Sequence, residues 1–342
     1  MFDRLFVEVD VFHHSTTQKI IKQTGLIPET ISSVEKVWGQ KKKPYLDKRV
    51  NLNLFIGKKR GTKVKEAPPA YGQKGERHYY FIHAYNCIYE CQYCYLQGYF
   101  KTPDIVLFVN HDEIIEEMEI IARKNPQEKI WFHAGEFSDS LALSHLTGEL
   151  EIYHAFLQRN PNAQLELRTK SANIKALKLL TPLPNLFVSF SLAPENAAKT
   201  FDLKTPGTKA RIRAMAELAQ LGFTLGLHFD PIIYQEEMEK DYAELFEELQ
   251  KEVKLEAIAY ISLGVVRFTK EVYAEVEKNY PDSPLHAGTM IKSFDNKVRY
   301  PKPMRLMLMN KLKLGLINIG IASEKIYLCM EEELGTNENP VF

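Results

Sequence analysis

From residue 78 onward the chain reads as an α/β protein built on an incomplete (β/α)6 barrel, with an N-terminal and a C-terminal extension, and three observations carry that expectation. Short runs rich in β-branched and aromatic residues alternate with longer stretches of helical spacing, the mark of parallel βαβ construction. There are six such strands, too few for a closed eight-stranded barrel. Three of the four cysteines fall within eight residues, Cys87 to Cys94. They directly follow the first strand, at the end where α/β barrels place their functional groups.

The elements follow in order. Residues 1–75 form an N-terminal α/β extension: 16–23 have helical spacing, 50–56 alternate as a strand does, and 57–71 are a basic connector rich in glycine and proline. The barrel, residues 76–267, takes strands near 78–84, 129–133, 164–168, 186–191, 224–229 and 257–263. Helices are expected between them near 111–124, 141–159, 173–180, 209–221 and 236–251. Residues 268–342 form the C-terminal extension, with helices near 270–279 and 304–315, a basic aromatic stretch between them, and a short strand near 325–329.

Composition narrows the class. Of 342 residues, 45% are hydrophobic and 26% charged, as in a soluble globular protein. No apolar run reaches membrane-spanning length, and Met1-Phe-Asp-Arg lacks a basic segment leading into an apolar one, so a cytoplasmic protein is expected. Lys and Arg balance Asp and Glu at 44 each, so nucleic-acid binding has to come from local patches. Residues 41–49 read as solvated surface. The runs at 58–65 and 297–305 carry glycine or aromatic neighbours, and Lys297, Arg299, Tyr300 and Arg305 are the candidate nucleic-acid contacts.

Cys87-x3-Cys91-x2-Cys94 lets three thiolates converge on one inorganic centre. A [4Fe–4S] cubane held by three thiolates keeps one iron open for a small molecule. A zinc site would need His83 or the distant Cys329 as fourth ligand, and most zinc sites are built from two separated ligand pairs, of which this chain has one half. The spacing, with Tyr93 just before the last cysteine, resembles the signature of the radical S-adenosylmethionine superfamily. That resemblance implies that S-adenosylmethionine chelates the open iron and is cleaved reductively to a 5′-deoxyadenosyl radical.

Groups at the other strand ends suit that cofactor. After the second strand, Ala134-Gly135-Glu136 offers a close-approach turn and a carboxylate for an ammonium, and resembles the Gly-Gly-Glu-type element of the superfamily with Ala134 in place of the first glycine. After the third, Lys170 offers a cation for a carboxylate, and after the fourth Ser191 a hydroxyl for the ribose. His228 and Asp230 after the fifth fit a structural network as well as a catalytic one.

From about residue 54 to 331 the chain resembles the spore photoproduct lyase family. The matching elements are Lys58–Gly61, Cys87–Gln97, Ser138-Asp-Ser-Leu, Arg168-Thr-Lys, Val188-Ser-Phe-Ser-Leu, Thr205-Pro-Gly-Thr, His228-Phe-Asp-Pro-Ile, Arg299-Tyr and Tyr327-Leu-Cys-Met-Glu. The resemblance implies a carbon–carbon lyase that reverses a UV-induced thymine dimer in DNA, with Tyr93 and Tyr95 matching tyrosines that relay a radical. It further implies an electron donor such as a flavodoxin or ferredoxin, and a DNA-contacting hairpin at 297–305. The family's hydrogen-donating cysteine lies in the element after the second strand, where this chain has Glu136, and no cysteine occurs between Cys94 and Cys329. Two other functions therefore stand beside repair: the same radical chemistry on a different substrate, and a non-catalytic, zinc-stabilised nucleic-acid-binding protein.

Overall fold

The computed structural model describes residues 2–37, 52–68, 75–100, 102–286, 290–293 and 296–331. The basic run at 41–49 and the tail from 332 lie outside the described residues.

The main sheet is an open one. Its parallel strands are β1 (Arg77–Phe81), β2 (Ile130–Ala134), β3 (Ala163–Thr169), β4 (Leu186–Ser191), β5 (Thr224–Ile232), β6 (Ile258–Val265) and β7 (Ile326–Leu328). They lie side by side in that order, with Val64–Glu66 antiparallel to β1 at one edge. The six expected strands are thus neighbours in sequence order, and the barrel does not close. β4 is buried along its whole length (Leu186-Phe-Val-Ser-Phe-Ser), the continuous run of a strand covered on both faces. Helices His111–Lys124, Glu149–Arg159, Thr208–Gln220 and Met238–Glu252 lay their buried Ile114, Met118, Phe156, Met215, Leu218, Phe246 and Leu249 into one core with the strands.

The barrel interior is polar. Glu166 on β3 accepts from His228 Nε2 at 2.7 Å and from the Tyr260 hydroxyl at 2.7 Å, and is also bonded to His133 Nδ1; His78 Nδ1 lies 3.0 Å from His133 Nε2. Gly226 makes room for this network, since a Cβ there would lie 2.5 Å from Ser189 Oγ and 2.7 Å from the Tyr260 hydroxyl. Arg168 and both histidines hold the Glu166 carboxyl well below the usual range in spite of its burial. His228 therefore belongs to a satisfied internal network.

A second sheet packs beside the barrel, in the order Pro28–Ile31, Phe2–Glu8, Leu52–Gly57, Ile105–Phe108, Ala84–Tyr85. Its first four strands run parallel and Ala84–Tyr85 pairs antiparallel to Ile105–Phe108. Strand pairing crosses the limits expected at residues 75 and 267. Val64–Glu66 and β7 join the barrel sheet from the two extensions, while residues 84–85 and 105–108 join the N-terminal sheet.

Several expectations need correction. The helix expected over 141–159 is two, Ser144–Thr147 and Glu149–Arg159, because Gly148 takes a left-handed conformation at φ 71°. Residues 173–180 hold only the 3-10 turn Leu177–Leu179. Residues 57–68 contribute the strand Val64–Glu66, and three of their cations are paired: Arg60 with Glu8 and Asp10, Lys58 with Glu113, Lys63 with Glu113 and Glu117. The nucleic-acid contacts fare similarly, since Arg299, Tyr300 and Arg305 are 6%, 1% and 5% exposed. Arg305 grips Glu331 (Nη2 to Oε2 3.1 Å) and the Tyr300 carbonyl, Arg299 reaches Glu331 and Ser293, and the Tyr300 hydroxyl accepts from the Tyr234 amide. Arg299 and Arg305 thus take their counter-charge from Glu331 inside the fold. Lys297 stays partly exposed, its Nζ 3.6 Å from Met330 Sδ.

Candidate active site

Directly after β1 the chain leaves the sheet and loops across the barrel mouth. Asn86, at φ 62°, anchors the turn, its Nδ2 donating to the carbonyls of Thr102 and Asp104 at 2.7 and 2.9 Å. Glu90–Cys91 then pairs antiparallel with Asp202–Leu203, opposing Cys91 to Asp202. Gln97 closes the far side, donating to the Gln92 carbonyl and accepting from Asn279 Nδ2. The loop is fixed by backbone and amide bonds, so its thiols are held without a disulfide.

Those bonds turn Cys87, Cys91 and Cys94 into the wall of one cavity of about 410 Å³. Its other lining comes from the strand ends: Gly135 and Glu136 after β2, Lys170 after β3, Ser191 at the end of β4, Asp230 on β5 and Arg267 after β6. Tyr93 and Tyr95 line it as well. Ala134, the remaining expected cofactor contact, is buried at the end of β2 and is not part of the lining. The structure thus gathers the cysteines, both tyrosines, Gly135, Glu136, Lys170 and Ser191, and leaves Arg299, Tyr300 and Arg305 in the protein interior.

The turn after β2 shows why glycine is needed there. Gly135 has φ 90°, and a Cβ would lie 2.6 Å from Ser140 Oγ. Asp139 then ties this turn to β3, accepting from the Thr169 hydroxyl at 2.6 Å, the Lys170 amide at 2.8 Å and the amides of Leu141 and Ala142. Asp139 is the cap and tether, and both it and Glu136 line the cavity.

Lys170 lies with its ammonium 5.5 Å from the centroid of the Tyr93 ring. Burial works against its charge, but Asp202 and Cys91 outweigh burial and raise its pKa. The Tyr93 hydroxyl is hydrogen-bonded to Asp202 Oδ1, and Arg211, fully buried, closes the set with Nη1 3.0 Å from Asp202 Oδ2. On the opposite wall Arg267 pairs with Asp230 at 3.0 Å and reaches Cys329 Sγ at 3.4 Å. Burial first, and Asp230 next, push the Cys329 thiol up to about 11, so it is held protonated.

The donor set fits an iron–sulfur cluster better than a lone ion. Among the described residues no three His, Cys, Asp or Glu side chains are gathered to hold a single metal. The three thiols instead border a wide space. Burial, followed by Asp202, pushes the Cys91 thiol well up, and a polycation in that space reverses the balance toward thiolate.

Sequence reasoning passed over Asp202, Arg211 and Arg267. Arg211 sits in a run of alanine and methionine that reads as an ordinary helix face, and Asp202 precedes the Thr205 element without a motif of its own. Their roles come from packing across distant segments.

An open parallel partial barrel with a three-cysteine loop at its mouth defines the radical S-adenosylmethionine class of fold. The spore photoproduct lyase family model matches residues 4–300, and the chain belongs to that family. The spore photoproduct lyase of Bacillus subtilis (strain 168) is 28% identical over 235 residues, 68% of this chain and 67% of that one. The Geobacillus sp. (strain Y412MC61) enzyme is 26% identical over 235 residues, again 68% of this chain and 67% of that one. Among solved structures, a spore photoproduct lyase double mutant with bound S-adenosylmethionine and dinucleoside spore photoproduct superposes with TM-score 0.81 at 22% identity, covering 96% of this chain and 98% of that one. A spore photoproduct lyase complexed with the same dinucleoside gives 0.81 at 21% identity over the same shares.

Proposed function

We propose that this chain is a radical S-adenosylmethionine lyase acting on spore photoproduct, the UV-induced thymine dimer of DNA. The observation that carries the proposal is the single cavity in which Cys87, Cys91 and Cys94 meet Glu136, Lys170 and Ser191. The cysteines would hold a [4Fe–4S] cluster which, with S-adenosylmethionine bound and one electron from a flavodoxin or ferredoxin, supplies a 5′-deoxyadenosyl radical.

The chain's own residues bind and orient. Glu136 would take the cofactor ammonium, Lys170 its carboxylate and Ser191 a ribose hydroxyl, each from a different strand end, which would fix the cofactor's orientation. Tyr93 forms the floor under Lys170, its hydroxyl turned away to Asp202. Tyr95 stands at the mouth, and Arg267 and Asp230 form the facing wall.

A second reading keeps the radical chemistry and changes the substrate. It is favoured by Glu136, which occupies the turn where the family carries its donor thiol. One anaerobic experiment separates the two: reconstituted, dithionite-reduced protein is mixed with S-adenosylmethionine and a spore-photoproduct dinucleotide, and 5′-deoxyadenosine and thymine product are quantified together. Thymine formation is expected. Deoxyadenosine without thymine would move the assignment to another substrate, and colourless, zinc-containing protein would remove the radical chemistry altogether.

A further inference from the structure

The aromatic rings at the cavity mouth continue beyond the cavity. Tyr95 lines it and is 38% exposed, and Tyr99, one helical turn on, is 62% exposed with its ring edge to face against Tyr95, centroids 6.1 Å apart at 88°. Past Tyr99 comes Phe137, 5.2 Å away, which follows Glu136 in the turn after β2. Phe137 leads on to Tyr80, centroids 6.1 Å apart at 69°. Phe137 and Tyr80 pack from behind on the small core around Phe55 and Phe108, so the row is anchored while Tyr99 stays open to water.

Cations stand at the end of the row. Lys65 is exposed and lies directly opposite Tyr80 in the antiparallel pair of Val64–Glu66 with β1, so the two side chains leave the same face. Lys58, Arg60 and Lys63 are paired with carboxylates, whereas Lys59 and Lys65 make no ion pair among the described residues. Burial first and Lys65 next lower the Lys59 pKa, with Glu35 acting the other way, so the two lysines are close enough to repel. An anion beside them relieves that repulsion.

We infer that the row from Tyr99 through Phe137 to Tyr80 and Lys65 is a track for the DNA strand leaving the cavity, with the base next to the lesion stacked on Tyr99 and a backbone phosphate on Lys65. The inference rests on the radical-lyase reading above and says where the flanking strand of its substrate lies. A ring anchored at its edge and open to water offers a surface on which any base can stack, and a cation alongside takes the phosphate; sequence-tolerant single-strand sites are built from these two parts. A lyase that meets its dimer in any sequence context needs that tolerance. The track also supplies a local DNA contact on a chain of zero net charge without Arg299 and Arg305, whose charges meet Glu331.

The test measures strand binding and turnover separately. A short fluorescein-labelled single strand carrying the spore photoproduct is titrated with the parent, Tyr99→Ala, Tyr99→Phe and Lys65→Ala proteins, and each is assayed on the spore-photoproduct dinucleotide, which has no flanking strand. Tyr99→Ala is expected to weaken strand binding about tenfold, the loss of one stacked base, and Tyr99→Phe to keep the parent affinity. Lys65→Ala should flatten the slope of log affinity against log salt by about 0.7, one phosphate of a single strand. Both alanine variants are expected to keep the parent's KM for the dinucleotide. Parent-like strand affinity in Tyr99→Ala, or an unchanged salt slope in Lys65→Ala, overturns the track. An equal loss on strand and dinucleotide also overturns it, making Tyr99 part of the cavity wall, as does a Tyr99→Ala defect seen with flavodoxin but not with dithionite, which makes the row a surface for the electron donor. If the parent makes deoxyadenosine and no thymine, the lyase reading fails, and the strand titrations still decide the track.

Discussion

Asp202 joins two parts of the molecule that are far apart in sequence: its Oδ2 lies 3.0 Å from Arg211 Nη1, while its Oδ1 is bonded to the Tyr93 hydroxyl in the cysteine loop. Asp202 and Arg211 are 3% and 0% exposed, so this is an ion pair out of reach of water. Removing one partner strands the other charge, which costs about 3–5 kcal/mol. Asp202→Ala should lower the urea unfolding free energy by that order and reduce iron retained after reconstitution. A midpoint within error of the parent would remove Asp202 from the anchoring of the loop.

Lys170 predicts a binding effect instead. Its amide is held by Asp139 at 2.8 Å and its ammonium faces the cavity wall above Tyr93, so truncation leaves the backbone in place. Lys170→Ala should weaken S-adenosylmethionine binding by about 1.5–3 kcal/mol, the worth of a hydrogen bond to a charged group, with little loss of fold stability. Isothermal titration of the reconstituted protein measures it, and equal affinity would separate Lys170 from the cofactor carboxylate.

Glu149 predicts a pH dependence. It is 2% exposed at the start of Glu149–Arg159, and burial raises its carboxyl to about 7, against which the Thr147 hydroxyl and Lys19 act. His83, held neutral by burial at about 4, lines the same small internal void. A carboxyl whose folded pKa is raised binds more protons in the native state than in the unfolded one. Its ionisation therefore costs stability as pH climbs from the unfolded value through about 7, by up to about 3 kcal/mol. Glu149→Gln should match the parent near pH 5 and become progressively more stable than it by pH 8. Parallel pH profiles in urea titrations would contradict this.

Arg305 and Arg299 predict stability, not DNA affinity. Both reach Glu331, which is also shielded at 10% side-chain exposure. Arg305→Ala should cost about 1.5–3 kcal/mol, because Glu331 loses its two-pronged partner and keeps only the 3.4 Å contact with Arg299. Arg299→Ala should leave the salt dependence of any DNA binding unchanged, because Arg299 releases no counterion from a phosphate. A flatter salt slope for Arg299→Ala would return that side chain to the nucleic-acid surface.

Much of this was legible in the chain. The six strand runs, the cysteine spacing and the small-residue turn at Gly135 are local patterns, and local patterns survive in one dimension. The broken helix at Gly148 and the strand Val64–Glu66 were less so, because one residue's left-handed backbone and a pairing partner some fifteen residues away decide them. The burial of Arg299, Tyr300 and Arg305 in the basic aromatic run at 297–305 was not legible for a related reason. A charge in a sequence does not show its partner, and here the partner, Glu331, is 26 residues from Arg305.

By itself, then, the sequence determined the α/β class, the order of the strands and most of the expected residues that line the cavity, since strand alternation and cysteine spacing are written in consecutive residues. Tertiary structure alone decided that Asp202 and Arg211 brace the cysteine loop and that Glu166 fills the barrel with a satisfied polar network. It also set Tyr99 against Tyr95 at the cavity mouth. Each of these depends on which buried charge meets which partner or how far a ring lies open to water, and those are properties of distance through space that burial of the core imposes on segments far apart in the chain.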